Sequence, residues 1–224
     1  MEREIDLRQI SDGRLYTAND MVKAACNDCK GCSLCCHGMG KSIILDPYDI
    51  YQLQRGIGLS FEQLMEDKIE LNVVDGVILP NLKMQGSEDC CAFLSSEGRC
   101  SVHAYRPGFC RMFPLGRIYE DHDFKYFLQI HECPYPNKTK IKLKKWLEIS
   151  DIGSYENYVK TWHYFLKSVE EIIKNTENDV IIKNLNMYLL NQFYVKSYET
   201  IADDFFHQFE MRILEAEQMI KAYC

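Results

Sequence analysis

A run of cysteines near the start of the chain constrains the fold more than any other feature. The segment from Cys26 to Cys36 holds five cysteines in 11 residues, at positions 26, 29, 32, 35 and 36. Thiolates two residues apart can converge on one metal across a tight turn. Five idle thiols packed this closely would instead expose several oxidisable groups with no gain in packing. The segment therefore predicts a metal site.

The cellular context favours metal ligands over disulfides. The chain has 11 cysteines, an odd number, and its first residues, Met1 to Asp6, are acidic and lack the basic and apolar regions of a signal peptide. No apolar run approaches the roughly 20 residues of a membrane span. We therefore expect a cytoplasmic protein with no membrane partner, in which clustered cysteines bind metal or react. Cys224, the last residue, is expected to be a bystander.

Composition excludes several other classes of protein. Hydrophobic residues make up 46% of the chain and charged residues 26%, which excludes disordered and fibrous sequences. The net charge of -7 leaves no basic face for a polyanion, so we expect no nucleic-acid partner.

A second group of cysteines lies far downstream of the first. It consists of Cys90, Cys91, Cys100, Cys110 and Cys133. Adjacent residues of extended backbone project to opposite sides, so neighbouring cysteines such as Cys35 and Cys36 are expected to serve different centres. Two sites are therefore predicted.

The spacing within the first run permits an iron–sulfur cluster. The positions 26, 29, 32 and 36 have the CxxCxxCxxxC spacing of bacterial ferredoxins, although His37 replaces the usual proline and the chain has no second such run. Thiolates suit zinc as well, so spacing alone does not choose the metal. We expect at least one 4Fe-4S cluster, with zinc as the alternative.

The order of these motifs resembles that of a known family. The chain reads CKGCSLCC from Cys29, CAFL from Cys91, GRCSVH from Gly98 and RPGFCRMFP from Arg106, followed by Cys133. This pattern resembles the YkgJ-type cysteine-cluster family of zinc- or iron-chelating domains. The resemblance implies eight metal ligands, enough for two four-thiolate sites: Cys29, Cys32, Cys35, Cys36, Cys91, Cys100, Cys110 and Cys133.

The resemblance also implies a possible activity, because flagellin lysine N-methylases carry the same cysteine cluster. It suggests methyl transfer from S-adenosylmethionine to a protein substrate, assisted by an iron–sulfur cluster. Arg106 and Arg111 flank Cys110 and could hold the carboxylate of S-adenosylmethionine, neutralise thiolates, or form ordinary salt bridges. His37 and His103 could each replace a thiolate ligand. No catalytic residue is assigned.

The apolar patterns divide the chain near Ser150. Before it, short elements with loops are predicted, including a helix from Asp46 to Gly56, a helix capped by Ser60, and a hairpin turning at Asp75-Gly76. After it, apolar residues recur every three or four positions, which predicts three helices, over 155–173, 180–194 and 201–220. We therefore expect an α+β protein with a metal-binding domain over 1–150 and a helical subdomain over 151–224.

Three functions remain open from the sequence. The protein could be a methyltransferase-like enzyme, a module that stores, delivers or senses metal, or a structural protein stapled by its metals.

Overall fold

The computed structural model describes residues 6–26, 32–199 and 205–221. Cys29 and Cys224, which carry two of the sequence predictions, lie outside these ranges. The helices in the described ranges are α1 (Leu7–Ile10), α2 (Pro47–Ile57), α3 (Phe61–Asp67), α4 (Gly108–Met112), α5 (Leu143–Leu147), α6 (Ile152–Asn175), α7 (Asp179–Leu190) and α8 (Phe205–Ile220). The strands are β1 (Ser11–Tyr16), β2 (Met21–Ala25), β3 (Ile69–Val74), β4 (Val77–Leu82), β5 (Met84–Gln85), β6 (Cys90–Cys91), β7 (Leu115–Glu120), β8 (Asp123–Gln129) and β9 (Thr139–Lys142).

The strands form small antiparallel sheets, and the α+β prediction is confirmed. One sheet has three strands in the order β1-β8-β7, and the pairs β2-β9, β3-β4 and β5-β6 form three two-stranded sheets. No helix in the described ranges is long and apolar enough to cross a membrane.

The hairpin predicted at Asp75-Gly76 is present as β3 and β4. Val74 pairs with Val77, so the turn has two residues, and both have positive φ, 51° at Asp75 and 88° at Gly76. Such a turn matches the right-handed twist of the strands. A Cβ atom added at Gly76 would lie 2.7 Å from Ile173 Cγ2. The hairpin therefore packs its turn tightly against α6.

Both predicted helix starts in this part of the chain are confirmed, but one predicted end is wrong. Asp46 and Ser60 cap α2 and α3 through reciprocal capping boxes. Helix α2 continues through Gly56 and ends at Gly58, whose φ of 71° gives the left-handed cap. Gly56 serves a different purpose, because a Cβ atom there would lie 2.2 Å from the ring of Tyr105. The absence of a side chain at Gly56 lets the Tyr105 ring pack directly against the backbone of α2.

The C-terminal part of the chain folds into the long helices that the periodicity predicted. Helix α6 has 24 residues, and α7 is extended by a π-helical turn at Asn191–Val195. In the described residues the last helix begins at Phe205, and 201–204 of the predicted segment lie outside them. These elements share a core of aromatic side chains that are at most 6% exposed, among them Trp162, Phe193 and Phe209.

The segment after Cys133, which holds five lysines between Lys138 and Lys145, forms a strand and a helix. It forms β9, which pairs with β2, and then α5. Leu143 and Leu147 on α5 are fully or almost fully buried, whereas Lys140, Lys142 and Lys145 are exposed. The lysines therefore solvate the outer side of elements whose inner side belongs to the core.

The helices contact the cysteine-bearing part of the chain through buried hydrogen bonds. The Tyr194 hydroxyl donates to the Leu45 carbonyl at 3.2 Å, and the Tyr158 hydroxyl accepts from the backbone N–H of Tyr48 at 3.0 Å. Buried residues of both parts form one hydrophobic cluster.

Candidate metal centre

Two neighbouring cavities gather most of the cysteines. The first, here called the large cavity, has about 780 Å³ of empty space, part of it open to solvent, and the second, the small cavity, has about 420 Å³. Six thiols line the large cavity: Cys32, Cys35, Cys36, Cys91, Cys100 and Cys110. Four line the small cavity: Cys26, Cys32, Cys35 and Cys133. The two cavities therefore share a wall that contains Cys32 and Cys35.

Five of the six thiols of the large cavity are placed by a short element or a strand bridge. Cys35 and Cys36 lie in a 3-10 turn, Leu34–Cys36, and Cys91 lies on β6. Cys100 forms an isolated antiparallel bridge with Leu94, and Cys110 lies on α4. Four segments that are distant in sequence thus contribute ligands to one space, which requires the tertiary fold.

Helix α4, which carries Cys110, is anchored to α2. The backbone N–H of Gly108, the first residue of α4, donates to Asp49 Oδ1 at 2.7 Å. A Cβ atom at Gly108 would lie 2.5 Å from the Tyr155 hydroxyl oxygen, so a larger residue would push α4 away from α6. Asp49 also belongs to the capping box of α2. The cap of α2 and the start of α4 are therefore one hydrogen-bonded unit that positions Cys110.

The thiols of the large cavity interact electrostatically. Hydrogen bonding between the thiols of Cys35 and Cys36 lowers the pKa of Cys35 to about 7 despite the burial of that thiol. The same hydrogen bond, together with burial, raises the pKa of Cys36. Burial is the main cause that raises the pKa values of Cys91, Cys100 and Cys110, and neighbouring thiols add to it. Metal ligation requires thiolates, so binding a metal here must displace protons from buried thiols.

Arg106 is the predicted cofactor-binding arginine that lines the large cavity. It contacts His103 Nε2, also on the cavity wall, and donates to Glu148 at 3.1 Å. The side chain of Arg111 is nearly buried and donates to the Ala104 carbonyl at 2.6 Å, with Glu148 at 3.7 Å. Arg111 therefore braces the segment before α4, whereas Arg106 faces the thiols.

The small cavity places one cysteine that the family pattern leaves out. Cys26, directly after β2, is 3% exposed and lines this cavity together with Cys133. Trp146 lines both cavities, and its Nε1–H lies 3.2 Å from the Phe113 carbonyl. Helix α5, which carries Trp146, follows β9, and β9 pairs with β2 beside Cys26.

The sequence predicted that Cys35 and Cys36 would project to opposite sides, as adjacent residues of extended backbone do. The backbone is not extended there. The two residues lie in a 3-10 turn, and both thiols line the large cavity. Extended geometry applies instead to Cys90 and Cys91 on β6, of which Cys91 alone lines the cavity. Cys90 lies with His37 and Glu88, and the ligand atoms of these three residues are all within 4.8 Å of one another.

Of the eight predicted ligands, seven lie in the described residues, and all seven line one of the two cavities. The sequence offers little to show which cysteine lines which cavity, because Cys26 and Cys32 have the same spacing as the other members of the run. His131, a potential metal ligand two residues before Cys133, is exposed and lines neither cavity.

Comparison with known proteins agrees with this arrangement. A family model named CxxCxxCC and described as “Putative zinc- or iron-chelating domain” matches residues 28–141, about half of the chain. The match includes all the lining thiols except Cys26. No curated protein and no solved structure has significant similarity to the chain.

Proposed function

Because the chain belongs to the CxxCxxCC family of metal-chelating domains, we propose that it is an iron–sulfur protein whose cluster occupies the large cavity. The observation that carries this proposal is the convergence of six thiols from separate segments on one cavity. The proposed cluster takes its four thiolates from among Cys35, Cys36, Cys91, Cys100 and Cys110, and Cys32 stands at the wall shared with the small cavity.

The donor set fits a polynuclear cluster better than a single ion. A tetrahedral zinc ion takes four ligands at about 2.3 Å and closes around itself. Six thiols contributed by separate segments around one cavity instead suit a 4Fe-4S cluster, whose four cysteine thiolates bind four different iron atoms rather than one shared ion. The apolar walls at Phe93 and Trp146 would limit access of water, and the Arg106 guanidinium would offset negative charge. When bound, the cluster would supply electron transfer or a Lewis-acidic iron.

The small cavity is proposed to hold a second centre, of zinc or of iron and sulfur. Its donors are Cys26, Cys32 and Cys133, which line it. Cys29, which lies between Cys26 and Cys32 in the sequence and belongs to the family pattern, is the fourth donor in this proposal. The eight family cysteines and Cys26 are thereby divided between two centres.

Anaerobic purification followed by analysis of iron, zinc and acid-labile sulfide tests the proposal. We expect iron and sulfide with the brown absorption of a cluster, and we expect Cys110→Ala to lose most of it. The matched control Cys224→Ala, outside the family pattern, should keep its metal. A colourless protein that contains zinc alone would contradict the iron–sulfur proposal. Ready transfer of the metal to a competing chelator without loss of helical content would instead favour metal storage or delivery.

Methyl transfer from S-adenosylmethionine to a protein lysine is a second candidate function. The observation that favours it is the presence of Arg99 and Arg106 on the wall of the large cavity, where a guanidinium could bind a carboxylate. Calorimetry on the anaerobic holoprotein should then show saturable binding of S-adenosylmethionine, and Arg106→Gln should abolish this binding. Because Arg111 braces the segment before α4, we expect Arg111→Gln to weaken the binding of S-adenosylmethionine less than Arg106→Gln does. Absence of binding in the wild-type protein would rule this candidate out.

A further inference from the structure

We propose that His37, Glu88 and Cys90 form a separate binding site for a divalent metal ion such as zinc. The ligand atoms of the three residues all lie within 4.8 Å of one another, and the Cys90 sulfur is 3.2 Å from His37 Nδ1. Tetrahedral zinc with its usual bond lengths to sulfur and nitrogen would hold these two atoms about 3.6 Å apart. For the sulfur and the nitrogen, only a small adjustment is needed to admit the ion. This site does not depend on the function proposed above.

The backbone explains why this site is separate from the lining of the large cavity. His37 and Cys90 form an antiparallel bridge, which places Cys36 opposite Cys91 one residue further along. His37 has extended φ and ψ angles, and Cys90 and Cys91 lie on β6. Successive side chains of extended backbone point to opposite faces. Cys91 accordingly lines the large cavity, whereas Cys90 on the opposite face of β6 and its bridge partner His37 do not.

Asp89 holds the two segments of this site together. Its carbonyl accepts from the backbone N–H of Gly38 at 2.9 Å, and its carboxylate accepts from the N–H of Gly40 at 3.2 Å. Asp89 lies between Glu88 and Cys90 in sequence, so both contacts fix the loop that carries His37 against the loop that carries the other two donors. The ligands are thus placed by backbone hydrogen bonds rather than by chance contact of flexible side chains.

The imidazole of His37 has a partner on its second nitrogen. The Ser33 hydroxyl lies 3.4 Å from His37 Nε2. Histidines that bind metal through one nitrogen usually donate the N–H of the other to an oxygen, which fixes the tautomer and the ring orientation. Nδ1 would then carry the metal beside the Cys90 sulfur, and Nε2–H would donate to Ser33.

The donor set indicates the kind of metal and its coordination. One sulfur, one nitrogen and one carboxylate oxygen suit zinc, which accepts all three, and exclude a thiolate-bound iron–sulfur cluster. Three protein ligands leave a fourth position for water, as in catalytic or exchangeable zinc sites. Glu88 is exposed and His37 and Cys90 are half-buried, so the ion can enter from solvent.

Cobalt binding to the anaerobic holoprotein tests the site, because Co²⁺ replaces zinc and absorbs visible light. After a weak chelator has removed loosely bound ions, we expect the wild-type protein to bind one equivalent of Co²⁺ with thiolate-to-cobalt charge-transfer absorption. Cys90→Ser and His37→Gln should abolish this equivalent. Glu88→Gln should weaken it by roughly tenfold or more, as loss of even an outer-shell partner does.

Two controls distinguish cobalt binding at this site from metal binding in the two cavities. Glu97→Gln, an exposed glutamate in the neighbouring loop, should leave cobalt binding unchanged. The metal of the cavities, measured in the same samples, should remain in Cys90→Ser and His37→Gln. Absence of a cobalt equivalent in the wild-type protein, its persistence in both ligand variants, or loss of the cavity metal in those variants would each overturn the separate site.

Discussion

The segments that line the two cavities and the C-terminal helices are built in opposite ways. The first, here called the thiol region, comprises the described residues of 26–36 together with 90–113 and 132–146. It contains elements as short as the two residues of β6 and the five of α4. The second, the helical region, comprises the described residues of 152–221 and includes the 24-residue helix α6. The thiol region brings polar and ionisable groups together, and the helical region buries large apolar ones.

This difference shows where the stability of each region comes from. Fully buried aromatic side chains, among them Tyr155, Phe193 and Phe209, fill the helical region, and burial of apolar area stabilises it by about 25 cal/mol per Å². In the thiol region, the large cavity brings six thiols and Arg106 together between apolar walls that include Phe93 and Trp146. Metal ligation is the interaction that can join such segments. Buried residues of both regions belong to one hydrophobic cluster. We infer that the thiol region depends on metal more than the helical region does.

Removal of the metals is the largest expected perturbation, and it should affect the two regions unequally. Structural metal sites contribute on the order of 10 kcal/mol, comparable to the whole stability of a domain. Treatment with chelator under reducing conditions should therefore make the thiol region sensitive to protease while most of the helical far-UV circular dichroism signal remains. Limited proteolysis with mass-spectrometric mapping of the cleavage sites measures this directly.

The untreated holoprotein is the control for that experiment. An unchanged digestion pattern after complete demetallation would contradict the division between the two regions. Simultaneous loss of both regions would show that the hydrogen bonds between them couple their unfolding.

A substitution in the aromatic core should produce the converse result. Phe209→Ala removes a ring that is 1% exposed and contacts Tyr158 and Phe205. We expect it to lower the free energy of unfolding by about 3–5 kcal/mol. The metal content of the folded protein should remain unchanged. Urea unfolding and metal analysis measure the two effects.

Met211→Ala on the same helix is the matched control, because Met211 is 49% exposed. It should change the free energy of unfolding by less than about 0.5 kcal/mol. Loss of metal in folded Phe209→Ala would indicate that the helical core also shapes the cavities.

Local signals account for the parts of the fold that could be predicted from the sequence. The Asp75-Gly76 turn and the caps at Asp46 and Ser60 each lie within a few residues of the element they specify. Strands β1, β2 and β9 carried no such signal. Ser11 pairs with Gln129 and Met21 with Lys142, so these strands depend on partners more than 100 residues away.

The candidate site divides in the same way between local and tertiary information. The cysteine set could be predicted because metal ligands need particular atoms at particular spacings. The assignment of thiols to cavities could not, because it depends on which segments meet. Cys26 looked like an extra residue in the sequence but lies beside Cys133, and Cys90 looked like its neighbour Cys91 but projects to the other face.

The smallest of the expected effects concerns Asn186, which joins the helical region to the wall of the large cavity. Its side chain accepts from the backbone N–H of Ile78 at 2.6 Å and donates to the Gly76 carbonyl at 3.2 Å, and it is 3% exposed. Strand β4, which it holds, ends at Leu82 on the cavity wall.

Asn186→Ala should lower the free energy of unfolding by about 1–3 kcal/mol, because it leaves the partly buried Ile78 N–H without its acceptor. The control Asn157→Ala, at an exposed position of α6, should stay within about 0.5 kcal/mol of wild type in urea unfolding. If the two regions are stabilised separately, the metal content of Asn186→Ala should match that of wild type. Faster loss of metal to a chelator in this variant, with Asn157→Ala unchanged, would instead show that β4 transmits the packing of the helices to the metal centre.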